Sequence, residues 1–350
     1  MSQNPKALQL FSPTRIWATI FIGLAVASYL MYQEYDPKNF ENLSWSWTAT
    51  LWISIAVLMI ALRDFAYMVR IRVLTDNKIS WRNSFDTIML WEFASAITPS
   101  VVGGSGVAIY IVNKEGVGLG RSTAVVLSSA FLDELFYIIM VPTIIAIVGV
   151  SQLFPEGLQT EILGGIWGTK DVFVLGYGFI LFLTSFICYA IFFRPRGFKW
   201  LLLKVFSLPF LKKWRVQAGE TGDEIMLTSK ELRHKPLSFW LKAFGATFLS
   251  WTARFWVVNF IILAFVSVDS HLLIYARQLV MWVILLISPT PGGVGVAEFA
   301  FDGFLKVFIP LGFVGTLAFI WRLISYYPYL FIGAIILPRW VKRTHSAKKV

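Results

Sequence analysis

Two apolar stretches of this chain are broken by proline and glycine at corresponding places in its two halves. Residues 279–307 read LVMWVILLISPTPGGVGVAEFAFDGFLKV: Pro289, Pro291, Gly292 and Gly293 interrupt a helical run, and Glu298 follows about one turn later. Residues 90–116 read LWEFASAITPSVVGGSGVAIYIVNKEG, with Pro99, Gly103, Gly104 and Ser105 in the matching place. Proline removes a backbone donor and clashes with the preceding turn. In hydrocarbon, irregular backbone survives only where it is buried in protein or lines a wet cavity. Broken segments at matching positions of two halves point to a polar site at mid-depth between inverted repeats.

The composition requires a bilayer. Of 350 residues, 57% are hydrophobic and 15% charged, and the mean hydropathy is +0.68; soluble domains carry about 25% charged residues. Six full spans are expected at 14–32, 46–62, 122–150, 172–193, 243–266 and 312–337, each long enough to cross. Two shorter broken segments cover 84–113 and 274–308. The fold class expected is an all-α polytopic membrane bundle with two re-entrant broken-helix hairpins in an inverted-repeat arrangement. Cys188 is the lone cysteine, so there is no disulfide framework. His234, His271 and His345 match no metal spacing, and no cofactor site is expected.

The net charge of +11 is a topology signal, not a nucleic-acid footprint. With the N-terminus in the cytoplasm, most of the 31 basic residues fall on the inner side. They include Arg63, Arg70 and Arg72 after the second span, and a dense set in the loop 194–242. Both termini are then cytoplasmic, and the protein is integral to the cell membrane. Each broken segment is read as leaving by the face it entered; two full crossings would keep the same end-to-end parity but put Lys114 and Arg121 outside and the acidic loop 151–171 inside. The first hairpin opens inward and the second outward, which makes the two units inverted. Residues 198–216 alternate apolar and basic groups around Trp200 and Trp214 and read as a helix lying on the inner leaflet, interrupted at Pro209.

Ionisable groups within spans are costly and mark function. Here they are Glu92 on the first broken segment, Asp133 and Glu134 in mid-span, Arg254, Glu298 and Arg322. Asp86 lies near the inner interface, where solvation or capping explains it. Glu298 and Asp302 share a helix face. Glu298 and Arg322 form either a locking pair or a ligand contact, and both readings stay open. Of the neighbours Asp133 and Glu134, only one is expected to face a cavity, since adjacent side chains diverge by about 100°. Arg254 has several carboxylates to choose from. The helices restarting after Gly103–Gly104 and Gly292–Gly293 present unpaired N–H groups that favour an anion such as phosphate.

The run SPTPGGVGVAEFAF followed by Arg322, together with TPSVVGGSGVAIYIVNKEGVGLGRSTAVVL, resembles the lysylphosphatidylglycerol synthase transmembrane-region family of flippase-like membrane proteins over roughly residues 12–340. That resemblance implies translocation of a lipid between leaflets. It does not imply lysine transfer, which in bifunctional relatives belongs to a separate soluble domain; with the last span ending shortly before Val350, no such domain is expected here. Relatives often carry a longer polar residue where this chain has Ser105.

The expected function is a flippase or transporter for a polar-headed lipid (phospho-, aminoacylated or polyprenyl-phosphate). Its phosphate would meet the half-helix ends and Arg254 or Arg322; a cationic part would meet Glu92, Asp133, Glu134 or Glu298. Pro99, Gly103, Gly104, Ser105, Pro291, Gly292 and Gly293 complete the candidate site. The expected partner is a membrane lipid with an anionic head, and a homo-oligomer stays open. No nucleotide motif is present, so transport would be downhill or ion-coupled. Two alternatives remain open: a group transferase using a lipid-linked donor, and a non-transporting partner in envelope assembly.

Overall fold

The computed structural model describes residues 29, 32, 44–98, 100–155, 159–162, 165–209, 211–286, 296–310 and 312–346. The expected span 14–32 therefore lies almost wholly outside the described residues, as do Pro99, Pro289, Pro291, Gly292 and Gly293. Within them the chain is helical: α1 Trp47–Leu74, α2 Trp81–Ile97, α3 Ser100–Lys114, α4 Leu119–Val148, the short α5 Val150–Leu153, α6 Thr169–Cys188, α7 Pro195–Val205, α8 Arg215–Arg233, α9 Leu237–Phe265, α10 His271–Leu286, α11 Val296–Leu305, α12 Val314–Ser325 and α13 Tyr327–Ser346. An antiparallel ribbon, Gln159–Ile162 against Gly165–Gly168, is a small departure from the all-helical expectation. Five helical segments are long and apolar enough to cross a membrane: α1, α4, α6, α9 and the continuous stretch Val314–Thr344. They coincide with the five expected spans that fall within the described residues, and the chain is an integral membrane protein.

Two long helices form the axis of the bundle. α1 and α9 pack along much of their length. Trp52 stacks on Phe260 with ring centres 5.6 Å apart, and Ser250 Oγ donates to the Arg63 carbonyl at 3.1 Å. The remaining elements follow the two axial helices in two runs. α1 is followed by the pair α2–α3, then α4 and α6; α9 is followed by α10–α11, then α12 and α13. The last helix of each set covers the hairpin of the other: α13 packs on α2, and α6 on α10. Both crossings are close. A Cβ on Gly333 would collide with Phe93, and one on Gly176 would lie 2.9 Å from the Val283 carbonyl oxygen.

Three boundaries differ from the sequence reading, each for a physical reason. The second span does not end at residue 62 but runs on to Leu74, carrying Arg63, Arg70 and Arg72 with it. Arg63 and Arg70 are buried rather than lying in an inner loop, because carboxylates on neighbouring helices satisfy them. The expected span 312–337 is kinked at Tyr326 (φ −128°, ψ −57°). Pro328 has no N–H for the Ile324 carbonyl, so the ladder must break there. Finally, α3 starts at Ser100, so Gly103, Gly104 and Ser105 lie inside the helix rather than ahead of it. A Cβ at Gly104 would strike the Ser95 side chain; this glycine lets α2 and α3 close on each other instead of opening the backbone to a ligand.

α2 ends at Ile97, α3 starts at Ser100, and the two helices pack together. α10 and α11 also pack together, and Arg277 Nη1 donates to the Phe304 carbonyl at 2.9 Å across them. The connector between the halves follows the amphipathic expectation. α7 has no buried residue, and Trp200 and Val205 are exposed on it. α8 packs on α7 and α4, and Glu224 accepts from Gly120 N at 2.6 Å.

The α13–α2 crossing is testable. Gly333→Ala places a methyl against the root of the Phe93 side chain, and overpacking of this kind costs about 1–3 kcal/mol. Gly178→Ala on α6 faces open space and should change stability by less than about 1 kcal/mol. Thermal unfolding of both variants in detergent should separate them.

Candidate functional site

The continuation of α1 past residue 62 places Arg63, Tyr67 and Arg70 on one helical face, at i, i+4 and i+7. The Tyr67 ring lies beneath both guanidinium groups, 4.8 Å from Arg63 and 4.4 Å from Arg70. This stripe is buried against α2, α4, α9 and α13, and it organises most of the charge inside the bundle.

Around Arg63, Nη2 donates to Glu92 on α2 and Nη1 to Asp64, at 2.6 and 2.7 Å. Nη1 also donates to the Tyr329 hydroxyl of α13 at 2.6 Å, and that hydroxyl donates to Asp64 at 2.8 Å. Around Arg70, two nitrogens meet both oxygens of Asp133 on α4, at 2.5 and 3.1 Å. Trp251 Nε1 on α9 donates to the same carboxylate at 2.8 Å, and Thr247 lies 3.2 Å from Arg70 Nη1. Paired arginine nitrogens facing a carboxylate fix orientation as well as charge.

A third pair stands in the second half. Arg322 Nε lies 2.6 Å from Glu298 Oε1, which joins α12 to α11. The Arg322 guanidinium also sits 3.9 Å from the centre of the Tyr326 ring at the kink. Tyr326 then donates to the Ala96 carbonyl at the end of α2, 3.1 Å away. The kink thus connects the Glu298–Arg322 pair to the end of α2. Asp302 does not join this cluster; it is exposed and faces Lys306 at 3.6 Å. Asp86 pairs with Arg343 at 3.2 Å, which ties α2 to the end of α13.

Two charged side chains stand apart from these pairs. Arg254 on α9 makes no ion pair among the described residues. Its guanidinium lies over Trp282 of α10 at 4.0 Å and near Trp251 at 5.3 Å. Glu134 on α4 is only 5% exposed, and its Oε2 has no hydrogen-bond partner among the described residues. Asp133 and Glu134 therefore differ as their divergence on the helix requires: the first is saturated, the second unengaged. Trp251 bridges the two kinds of group, since it bonds Asp133 while its ring faces Arg254.

Of the residues singled out from sequence, Glu92, Asp133, Glu134, Arg254, Glu298 and Arg322 all face the interior of the bundle. Glu92, Asp133 and Glu298 are already bound to arginines. Pro99, Pro291, Gly292 and Gly293 lie outside the described residues, and Gly103 is described by its backbone alone. Sequence reasoning missed Arg63, Asp64, Tyr67, Arg70, Tyr329, Trp251 and Trp282. The polar i, i+4, i+7 spacing in RDFAYMVR was the available signal for the first stripe.

Comparison with known proteins agrees with this architecture. The chain matches the family model described as "Lysylphosphatidylglycerol synthase TM region" over residues 16–333. A UPF0104 membrane protein from Archaeoglobus fulgidus is 27% identical over 331 residues, covering 90% of this chain and 94% of that protein. No solved structure matches significantly.

The asymmetry between saturated and unengaged charges predicts distinct stabilities. Arg70→Met leaves Asp133 buried without its counter-ion and should cost about 3–5 kcal/mol. Arg254→Gln breaks no ion pair and should cost far less. The double variant R70M/D133N should recover a large part of the first loss, as measured by thermal unfolding in detergent.

Proposed function

We propose, for a chain that belongs to the lysylphosphatidylglycerol synthase transmembrane-region family, that it moves a phosphate-headed lipid between the leaflets of the cell membrane. The headgroup travels along the interior charge track while its acyl tails remain in the bilayer. The observation that carries this function is the contrast at the centre of the bundle: among the described residues Arg254 has no ion-pair partner and rests on Trp282, while the surrounding arginines are paired. A guanidinium held on an aromatic face without a carboxylate is suited to receive a phosphate. Glu134 is the matching acceptor for a cationic head, since Glu92, Asp133 and Glu298 are engaged.

In this scheme the hairpins α2–α3 and α10–α11 are re-entrant, and both termini are cytoplasmic. The two repeats then run in opposite senses through the membrane, and their hairpins converge on the site from opposite faces. The first N–H groups of α3 add a positive dipole end. Alternating access follows by rocking one set of helices against the other around Arg254.

Lipid exchange tests the proposal. Proteoliposomes carrying a fluorescent phosphatidylglycerol in both leaflets are quenched from outside, and protein-dependent loss of the protected fraction is followed. Arg254→Gln should slow that loss at least about tenfold, in line with removal of one charge-assisted contact, with the fold intact. Glu134→Gln should slow exchange of a lipid with a cationic head more than that of phosphatidylglycerol. Exchange by neither the native chain nor any variant, for anionic phospholipid and polyprenyl phosphate alike, would reject transport.

A further inference from the structure

The connector between the two halves holds a second site, remote from the charge track. A cavity of about 530 Å³ opens where the end of α6, the start of α7 and the C-terminal half of α8 meet. Arg196, Lys230 and Arg233 line it together with Phe192 and Leu227. Ser229 also lines it; this side chain is 1% exposed, and its Oγ has no hydrogen-bond partner among the described residues. A helical serine ordinarily bonds the carbonyl one turn back, as its neighbour Thr228 does to Glu224 at 2.9 Å. Ser229 is thus a buried, unsatisfied polar group at a basic cavity.

The basic side chains are also left over. Neighbouring carboxylates of α8 are committed elsewhere: Asp223 to Lys199 at 2.5 Å, Glu224 to Gly120 N at 2.6 Å, and Glu231 to Arg121 at 2.9 Å. None of them pairs with Arg196, Lys230 or Arg233 among the described residues. The chain leading to Phe192 of the cavity carries exposed aromatic side chains. Phe182 and Phe186, on one face of α6 at i and i+4, and Tyr189 and Phe193, on the π-helical turn Tyr189–Phe193 that follows it, are all exposed. Such side chains on a spanning helix are what an acyl chain covers.

We infer that this cavity binds an anionic phospholipid of the leaflet on which the connector lies. Its phosphate meets Arg196, Lys230 and Arg233, the Ser229 hydroxyl donates to a phosphate oxygen, and an acyl chain descends along the exposed aromatic side chains of α6. The occupant is a resident lipid that fastens α7 and α8 to the bilayer. It is distinct from any lipid in the interior track and does not depend on transport. Charge complementarity selects an anionic head, and the exposed aromatic side chains select a lipid over a soluble phosphate.

The test uses the full chain in a non-ionic detergent, with thermal unfolding followed during titration of dihexanoyl phosphatidylglycerol. Dihexanoyl phosphatidylcholine and inorganic phosphate are titrated in parallel at constant ionic strength. Phosphatidylglycerol should stabilise the protein and saturate, while the other two should not. R196Q, K230Q and R233Q should each weaken the apparent affinity roughly fivefold, and the triple variant about a hundredfold, as expected for basic groups at an anionic lipid surface. The variant K212Q/K213Q/R215Q takes equal charge from the connector outside the cavity and should keep the full response. Equal stabilisation by phosphatidylcholine, a full response to inorganic phosphate alone, an unchanged triple variant, or equal loss in the control variant would each overturn the site.

Discussion

The buried guanidinium stripe of α1 is the constraint on which the rest of the bundle depends. Arg63 and Arg70 are held in the interior by Glu92 of α2, Asp133 of α4, Thr247 of α9 and Tyr329 of α13. Desolvation offsets much of the attraction in such pairs, and hydrophobic replacements are often as stable. What the pairs add is register. Each fixes where one helix sits along another, and together they hold the first hairpin against the final helix of the chain.

The exchange of covering helices extends that logic. α13, from the second half, seals the first hairpin through the Gly333–Phe93 contact, and Trp340 donates to Glu115 at 2.7 Å. α6, from the first half, seals the second hairpin through Gly176. Neither half can therefore rearrange without moving a helix packed on the other. The kink at Tyr326 lies between the Glu298–Arg322 pair and the end of α2, so a shift in the second half is felt at the end of α2. A lipid carrier of this design would couple its two hairpins through that contact.

Much of this was legible in the sequence. Apolar length marked the five spans among the described residues, and alternating basic and apolar residues marked the surface helix α7 of the connector. Glu298 and Arg322 stood out because each interrupts an apolar run on its own. The α1 stripe was obscured because a basic residue at the end of an apolar run ordinarily marks the inner face of the membrane. Its partners also lie far away in sequence: Glu92 is 29 residues from Arg63, Asp133 is 63 from Arg70, and Tyr329 is 266 from Arg63. Gly104 was ambiguous for another reason. Close approach of a ligand and close approach of a helix demand the same residue, and only the position of Ser95 distinguishes them.

The central claim is that Arg254, which lies over the Trp282 ring and has no ion-pair partner among the described residues, is the seat of a lipid phosphate. An experimental map of the protein in nanodiscs of anionic phospholipid tests this most directly. Headgroup density within hydrogen-bond distance of the Arg254 guanidinium, with tails leaving between helices, is the expected result. A guanidinium turned onto Glu134 or another carboxylate, in an interior sealed from lipid at the same lipid concentration, would contradict it.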